Sequence, residues 1–192
     1  MAKKLESTLI NMILSLVLIS MVMSAALGFV YMKTKDPIEA ASRQKEIAAI
    51  KQVLPEFDSD PVADKTEKDG VIVYQVSKQN QPVGFAIKTF TDKGFGGHVE
   101  IMAGFLPDGS INNVVVLSHK ETPGLGTKMT DPKFSYQFLG KNPAEFILKV
   151  KKDGGQVDAI TAATVSSRAY CDALQRAYTT LKMVNDSLSA KQ

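Results

Sequence analysis

The residues best suited to chemistry form a hydroxyl-rich stretch, VDAITAATVSSR, that begins at Val157. Thr161 and Thr164 stand three residues apart, and the two residues between them, Ala162 and Ala163, are small enough to let a bulky group approach the backbone. The stretch leads into a segment with helical periodicity. The first turn of a helix presents unpaired N–H groups and a partial positive charge, so the pattern is compatible with a bound phosphate.

Two interpretations of this stretch remain open from the residues alone. Arg168 lies one turn beyond Thr164 and is a candidate ligand for an anion. The simpler interpretation is that Thr161 or Thr164 only caps the helix, which is a common role for threonine.

A second candidate segment is the loop HKETPGLG, at positions 119–126. Pro123 gives a rigid bend, and glycines allow the backbone to approach a flat ring closely. Glu121 and Thr122 offer an acceptor and a donor, and Gly124 and Gly126 stand on either side of Leu125. Viewed alone, the loop is better explained as an ordinary turn.

Other kinds of site are not predicted. The run Gly94–Gly97 departs from the GxGxxG spacing and precedes a strand pattern, which argues against a dinucleotide-binding Rossmann site. Cys171 is the one cysteine and His98 and His119 the two histidines, so the sequence offers neither a disulfide nor an iron–sulfur ligand set. No metal site and no catalytic nucleophile–base–acid set is predicted.

The charge distribution points to a membrane and away from nucleic acid. The formal net charge is +3, and the first 35 residues account for it, because four lysines there face one glutamate. The remainder of the chain is therefore close to neutral, and no nucleic-acid partner is predicted.

A membrane anchor is predicted near the start of the chain. Leu9 to Tyr31 is an uncharged, largely apolar run, long enough to span a bilayer core of about 30 Å. We therefore divide the chain into an anchor, residues 1–35, and a domain, residues 36–192. The alternative is a cleaved signal peptide with small residues near Ser24, which is less favoured because the apolar run continues past them. The flanking lysines are balanced, so charge alone indicates the orientation only weakly.

The rest of the pattern predicts an α+β domain. Strands are expected at 71–76, 83–90, 98–105, 111–118 and 146–151, with polar residues 56–70 as a loop. Helices are expected from Pro37 to Pro55, over the short stretch 132–139, and from Thr164 to about Leu188. Together these elements predict one N-terminal transmembrane helix followed by a mainly antiparallel sheet packed with helices.

Two of these segments together resemble a known family. DAITAAT, residues 158–164, resembles the flavinylation motif of FMN-binding domains, which reads Asp, two residues, Ser or Thr, usually Gly, then Ala-Thr. In that family the last threonine is joined to FMN by a phosphoester bond, which a flavin transferase makes from FAD. Carried over, the modified residue is Thr164, and the one departure is Ala162 in place of the usual glycine.

The ETPGLG loop extends the resemblance to two kinds of subunit that have one N-terminal span and an exported flavin domain. One is the G subunit of the Rnf (Rsx) electron-transport complex, which the shorter chain length favours. The other is the C subunit of the Na⁺-pumping NADH:quinone reductase. In both of them the corresponding loop lies near the flavin. The resemblance therefore implies contacts with the flavin ring from the loop residues Glu121, Thr122, Gly124, Leu125 and Gly126.

This resemblance implies a function and a location. It implies a single-pass protein of the bacterial cytoplasmic membrane, whose C-terminal domain lies outside the cytoplasm. There it relays electrons through covalent FMN within an ion-translocating ferredoxin:NAD⁺ complex, and it is not expected to be active alone. Its implied partners are the other membrane subunits and the flavin transferase. The alternatives are a subunit of the Na⁺-pumping reductase, a free-standing anchored FMN-domain reductase, or an anchored docking module.

Overall fold

The long N-terminal helix α1 runs from Leu9 to Val53 in a computed structural model that describes residues 8–61, 65–79 and 81–189. By length and composition its apolar part is able to cross a membrane. The helix predicted from Pro37 is present as far as Val53, but its separate start at Pro37 is wrong, because α1 continues through this proline without ending. A proline inside a helix removes only one backbone hydrogen bond, and the residues on both sides of Pro37 still favour a helix. The chain divides into two compact units after Glu46.

The second unit is built on five strands in sequential order, each antiparallel to the next. The strands are β1 Lys65–Lys68, β2 Val71–Lys78, β3 Gln81–Gly94, β4 Gly97–Phe105 and β5 Ile111–His119. Four of them were predicted from alternating or continuous apolar residues. Strand β1 was missed because its sequence, KTEK, is charged and fully exposed along one edge of the sheet. An edge strand of this kind has no apolar period to detect.

The sheet separates two apolar clusters. On one face Ile50 and Val53, from the end of α1, pack with Tyr74, Ala86 and Met102. The larger cluster, on the other face, is covered by helix α3, which runs from Thr164 to Ser189. The predicted apolar stripe of α3 is confirmed, and its buried members include Ala169, Ala173, Ala177 and Leu181.

The connection from β5 to α3 consists of short helical turns. A 3₁₀ turn occupies Gly126–Thr130, helix α2 occupies Pro132–Ser135, and further 3₁₀ turns occupy Tyr136–Phe138 and Lys151–Asp153. The predicted short helix at 132–139 is therefore confirmed.

The predicted strand at 146–151 is wrong. Only Val150 pairs there, in a single parallel bridge to Val157. The backbone turns back on itself instead, since the N–H of Lys149 donates to the carbonyl of Ile147 and the N–H of Val157 donates to that of Lys149. The domain as a whole has the α+β architecture that the sequence predicted.

Candidate functional site

Helix α3 begins at the threonine of the hydroxyl-rich stretch. The carbonyl of Ala163 accepts the N–H of Ser167 at 3.1 Å, which makes Ala163 the N-cap and Thr164 the first helical residue. Within the described ranges, no side-chain capping bond from Thr161 or Thr164 is found. The structure therefore does not support the interpretation of these threonines as simple caps.

The first turn of α3 carries unpaired hydrogen-bonding groups. The N–H groups of Thr164, Val165 and Ser166 have no acceptor among the residues that the structure describes. Thr164 is half-buried, and its hydroxyl likewise lacks a described hydrogen-bond partner. Three N–H donors and the positive end of a helix next to a hydroxyl form a suitable environment for a phosphate ester on that hydroxyl.

The backbone before α3 turns sharply at Ala162. This residue has a φ of +60°, in the left-handed region that side chains disfavour. The N–H of Ala163 closes the turn by donating to the carbonyl of Ile160 at 2.9 Å. The glycine usual at this position of the flavinylation motif suits this conformation, because glycine has no Cβ to cause the strain.

Ser167 fixes the turn against the helix. Its fully buried hydroxyl accepts the N–H of Ile160 at 2.9 Å and donates to the carbonyl of Ala163 at 3.0 Å. One side chain therefore holds both ends of the turn, and the position of Thr164 does not depend on a bond made by Thr164 itself.

The ETPGLG loop meets the first turn of α3 through a buried carboxylate. Glu121 is only 6 % exposed, and Ser166 Oγ donates to its Oε2 at 2.8 Å. The N–H of Gly96 points to its Oε1 at 3.4 Å. Both carboxylate oxygens are therefore directed towards protein donors. A Cβ at Gly126 would lie 2.6 Å from Ser166 Oγ, so a glycine is required for the loop to pack this closely.

A cavity of about 350 Å³ lies between the loop and the helix. It brings together the predicted residues Glu121, Thr122, Leu125, Gly126, Ala162, Ala163 and Thr164. Three further lining residues, Phe95, Val165 and Ser166, were not predicted as site residues. For Phe95 a signal was present in the sequence, namely an aromatic residue set between glycines in the turn Gly94–Gly97.

Two predicted site residues and one candidate ligand lie elsewhere. Thr161 lines a separate cavity with Asp158 and Gln137, and Gly124 is exposed, with a φ of +75° and no atom near the position of its missing side chain. Arg168, considered as an anion ligand, donates to the two carboxylate oxygens of Asp153 at 2.6 and 2.7 Å. This hydrogen-bonded pair holds the pKa of Asp153 below its ordinary value, and it occupies the guanidinium that was considered as an anion ligand.

Cys171 is a packing residue of the core. It is 3 % exposed, and burial raises the pKa of its thiol to about 12, so the thiol stays protonated. Among the residues whose structure is described, no group of histidine, cysteine and acidic side chains is arranged to hold a metal ion.

Comparison with known proteins finds the same family that the two motifs resemble. The family described as FMN-binding domain matches residues 94–179, which include the turn at Phe95, the ETPGLG loop and the start of α3. The G subunit of the ion-translocating oxidoreductase complex of Methanosarcina acetivorans is 36% identical over 174 residues, covering 87% of this chain and 91% of that protein. The protein of the same name from Aliivibrio fischeri is 33% identical over 180 residues, covering 85% of this chain and 86% of that protein.

Among solved structures, one similar chain is the C subunit of the Na⁺-translocating NADH-quinone reductase from Parabacteroides distasonis. It is 23% identical, with a TM-score of 0.47, and the match covers 66% of this chain and 75% of that chain.

Proposed function

The chain belongs to the family of G subunits of ion-translocating oxidoreductase complexes, and from this premise we propose that it is a membrane-anchored electron-transfer subunit with FMN esterified to Thr164. The apolar part of α1 supplies the anchor. The domain that follows carries the flavin outside the cytoplasm, as part of a larger assembly of membrane subunits.

The observation that carries the attachment site is the state of Thr164. The residue is half-buried and its hydroxyl has no hydrogen-bond partner in the described part of the chain, whereas the hydroxyls of Ser166 and Ser167 are both bonded. A hydroxyl destined to become an ester cannot also serve as a structural donor, because esterification removes its proton. Thr164 meets this requirement and its two hydroxyl neighbours in the helix do not.

The surroundings of Thr164 also fit the phosphate. The three free N–H groups of the first turn of α3 would hold the ester oxygens, and the helix dipole favours their negative charge. The ETPGLG loop brings a carboxylate, that of Glu121, to the same cavity, but both of its oxygens are bonded within the protein. Repulsion between Glu121 and the phosphate is reduced by those donors.

FMN supplies one- and two-electron chemistry when it is bound, and the protein supplies attachment, orientation and solvent exclusion. Leu125 and Val165 would contact the apolar part of the ring system, and Thr122 offers a hydroxyl at the edge of the same cavity. Thr164 acts as an attachment point and takes no proton in the redox step. A covalent bond keeps the cofactor on a domain that faces bulk solvent.

The finer features of the proposal follow from the family. We infer that the complex passes electrons between ferredoxin and NAD⁺, that a flavin transferase attaches FMN from FAD, and that this protein is inactive by itself. Ions would cross through other subunits, since one helix without charged residues along its apolar run offers no pathway for them.

The attachment site is tested with the full-length chain co-expressed with a flavin transferase. Wild-type protein should give a fluorescent flavin band on a denaturing gel, and its intact mass should exceed that of the polypeptide by FMN less one water. Thr164→Ala should lose both signals completely. Thr179→Ala is the matched control, because Thr179 is an exposed threonine of the same helix that lies outside the flavinylation motif, and it should keep the band. A band that persists in Thr164→Ala would refute the proposed site.

A further inference from the structure

Phe95 is a large apolar side chain in an unusual place. It lies at the turn between β3 and β4 and is 73 % exposed, yet it lines the same cavity as Thr164. Single exposed apolar residues are common on protein surfaces and need no explanation in general. Here, however, the exposed ring lines a cavity whose other wall is the start of α3, so a ligand bound in that cavity would contact it.

The turn that carries Phe95 is hydrogen-bonded to residues of the cavity wall. The N–H of Gly96 donates to Glu121, and Glu121 accepts from Ser166 in the first turn of α3. A Cβ at Gly96 would overlap the carbonyl of Lys120, so the turn packs directly against the loop backbone. The residue after Phe95 is therefore connected, through one buried carboxylate, to the residue two positions after Thr164.

A second set of hydrogen bonds joins the hairpin of β3 and β4 to α3, farther along the helix. Thr91 Oγ1 donates to Asp172 Oδ2 at 2.7 Å, and Lys93 Nζ donates to Oδ1 at 2.6 Å. Burial disfavours the charged form of Asp172, but these two bonds outweigh it and keep the pKa of the carboxyl below its ordinary value. The hairpin of β3 and β4 is thus joined to α3 at two points. Before Phe95 in the chain, Thr91 and Lys93 bond Asp172 directly, and after it Gly96 is linked to Ser166 through Glu121.

The side chains around Phe95 are suited to a flat apolar group. Leu125 and Val165 are 41 % and 42 % exposed, and both line the cavity with Phe95. The rest of that wall includes the small side chains Ala162 and Ala163. Three partly or largely exposed apolar side chains around one cavity favour an aromatic ligand, since rings pack well on aromatic and aliphatic surfaces.

We propose that Phe95 is a further cofactor-binding residue, whose ring packs on the isoalloxazine of the FMN held at Thr164. This inference rests on the proposed function, because it requires a flavin on Thr164. The hairpin anchored by Glu121 and Asp172 presents the phenyl ring, and the helix presents the phosphate. The two ends of the cofactor are thereby held by two different elements.

The test uses Phe95→Trp in the full-length, flavinylated chain in detergent. The wild-type sequence contains no tryptophan, so the introduced indole is the only one. Indole quenches flavin fluorescence by electron transfer when the two rings are in contact. We expect a several-fold loss of native flavin fluorescence relative to wild type, with the difference removed on unfolding. Tyr136→Trp is the matched control, because Tyr136 is also an exposed aromatic residue, at 64 %, but lines a different cavity.

A second variant tests contact without introducing a quencher. Phe95→Ala should increase quenching of the flavin by iodide and shift the flavin absorbance, while Tyr136→Ala leaves both unchanged. If Phe95→Trp fluoresces like Tyr136→Trp and Phe95→Ala behaves like wild type, the inference is wrong. The flavin band on a denaturing gel separates this failure from that of the proposed function, because the band reports attachment at Thr164 whatever the ring contacts.

Discussion

The first turn of helix α3 differs from the turns that follow it in how its polar groups are used. In the first turn, the Thr164 hydroxyl and three N–H groups have no described partner. In the next turns, Ser167 holds the preceding loop, Arg168 pairs with Asp153, and Asp172 accepts from β3. Both regions belong to one helix, Thr164–Ser189.

This difference indicates how the proposed attachment position would stay available. Polar groups near a protein core are normally paired, because an unpaired group costs free energy. The Thr164 hydroxyl and the three N–H groups make no described bond, and Ser166 and Ser167 beside them keep the backbone in place without using Thr164. The geometry around Thr164 is therefore set by its neighbours more than by Thr164 itself.

The strongest test of this comparison concerns stability in protein prepared without flavin. Ser166→Ala removes the donor to the buried carboxylate of Glu121, and we expect a loss of about 2–3 kcal/mol in the free energy of unfolding. Thr164→Ala, two residues earlier, should change it by less than about 0.5 kcal/mol, because no bond is lost. Urea unfolding of the full-length chain in detergent, followed by circular dichroism, measures both.

Equal destabilisation by the two alanine variants would contradict the comparison, because it would mean that Thr164 has a structural role of its own. Ser166→Thr is the control, because it changes the residue at position 166 but keeps a hydroxyl. It separates the effect of losing the hydrogen bond from the effect of substituting this position.

We expect an intermediate effect for Asp172, whose contribution to the free energy of unfolding should depend on pH. The pKa of Asp172 is lowered in the folded protein, so its contribution to stability is present above the ordinary pKa and is lost as the pH falls through the lowered one. Asp172→Asn should cost about 1–2 kcal/mol at neutral pH. The deficit should shrink as the pH falls below about 4, because the carboxyl is protonated first in the unfolded chain and, at lower pH, in the folded protein as well.

The measurement is the midpoint of unfolding for wild type and Asp172→Asn from about pH 7 to about pH 2.5, a range that spans the ordinary titration of a carboxyl group. Asp131→Asn is the control, because Asp131 is exposed and makes no side-chain bond at the start of α2. A deficit of Asp172→Asn that stays constant over this pH range would show that the Thr91 and Lys93 bonds do not depend on the charge of Asp172.

The smallest expected effect concerns the strained turn before the site. Ala162 has a φ of +60°, and Ala162→Gly should stabilise the unmodified protein by about 0.5–1 kcal/mol, since relief of strain exceeds the added entropy of the unfolded chain. Ala159→Gly, at an exposed loop position without a positive φ, should be destabilising instead. Opposite signs for these two variants in thermal unfolding would confirm the strain, and equal signs would argue against it.

Much of this protein was determined by its sequence alone. The apolar run from Leu9, the alternating residues of four strands and the periodic stripe of α3 each predicted a correct element, because periodicity is a local property that the final packing preserves. The threonine at the start of α3 and the ETPGLG loop were also identified by residue type and spacing. Two predictions were wrong for local reasons. A proline did not end α1, and an apolar stretch before residue 151 turned instead of pairing.

Only the tertiary structure decided which polar residues meet. Glu121 and Ser166 are 45 positions apart, and no periodicity in either segment indicates that one would bond the other. The same packing placed Phe95 in the cavity and turned Thr161 and Arg168 towards other partners. Contacts between distant segments depend on how the hairpin, the loop and the helix dock. That docking follows from the burial of the whole core, and a short motif does not contain this information.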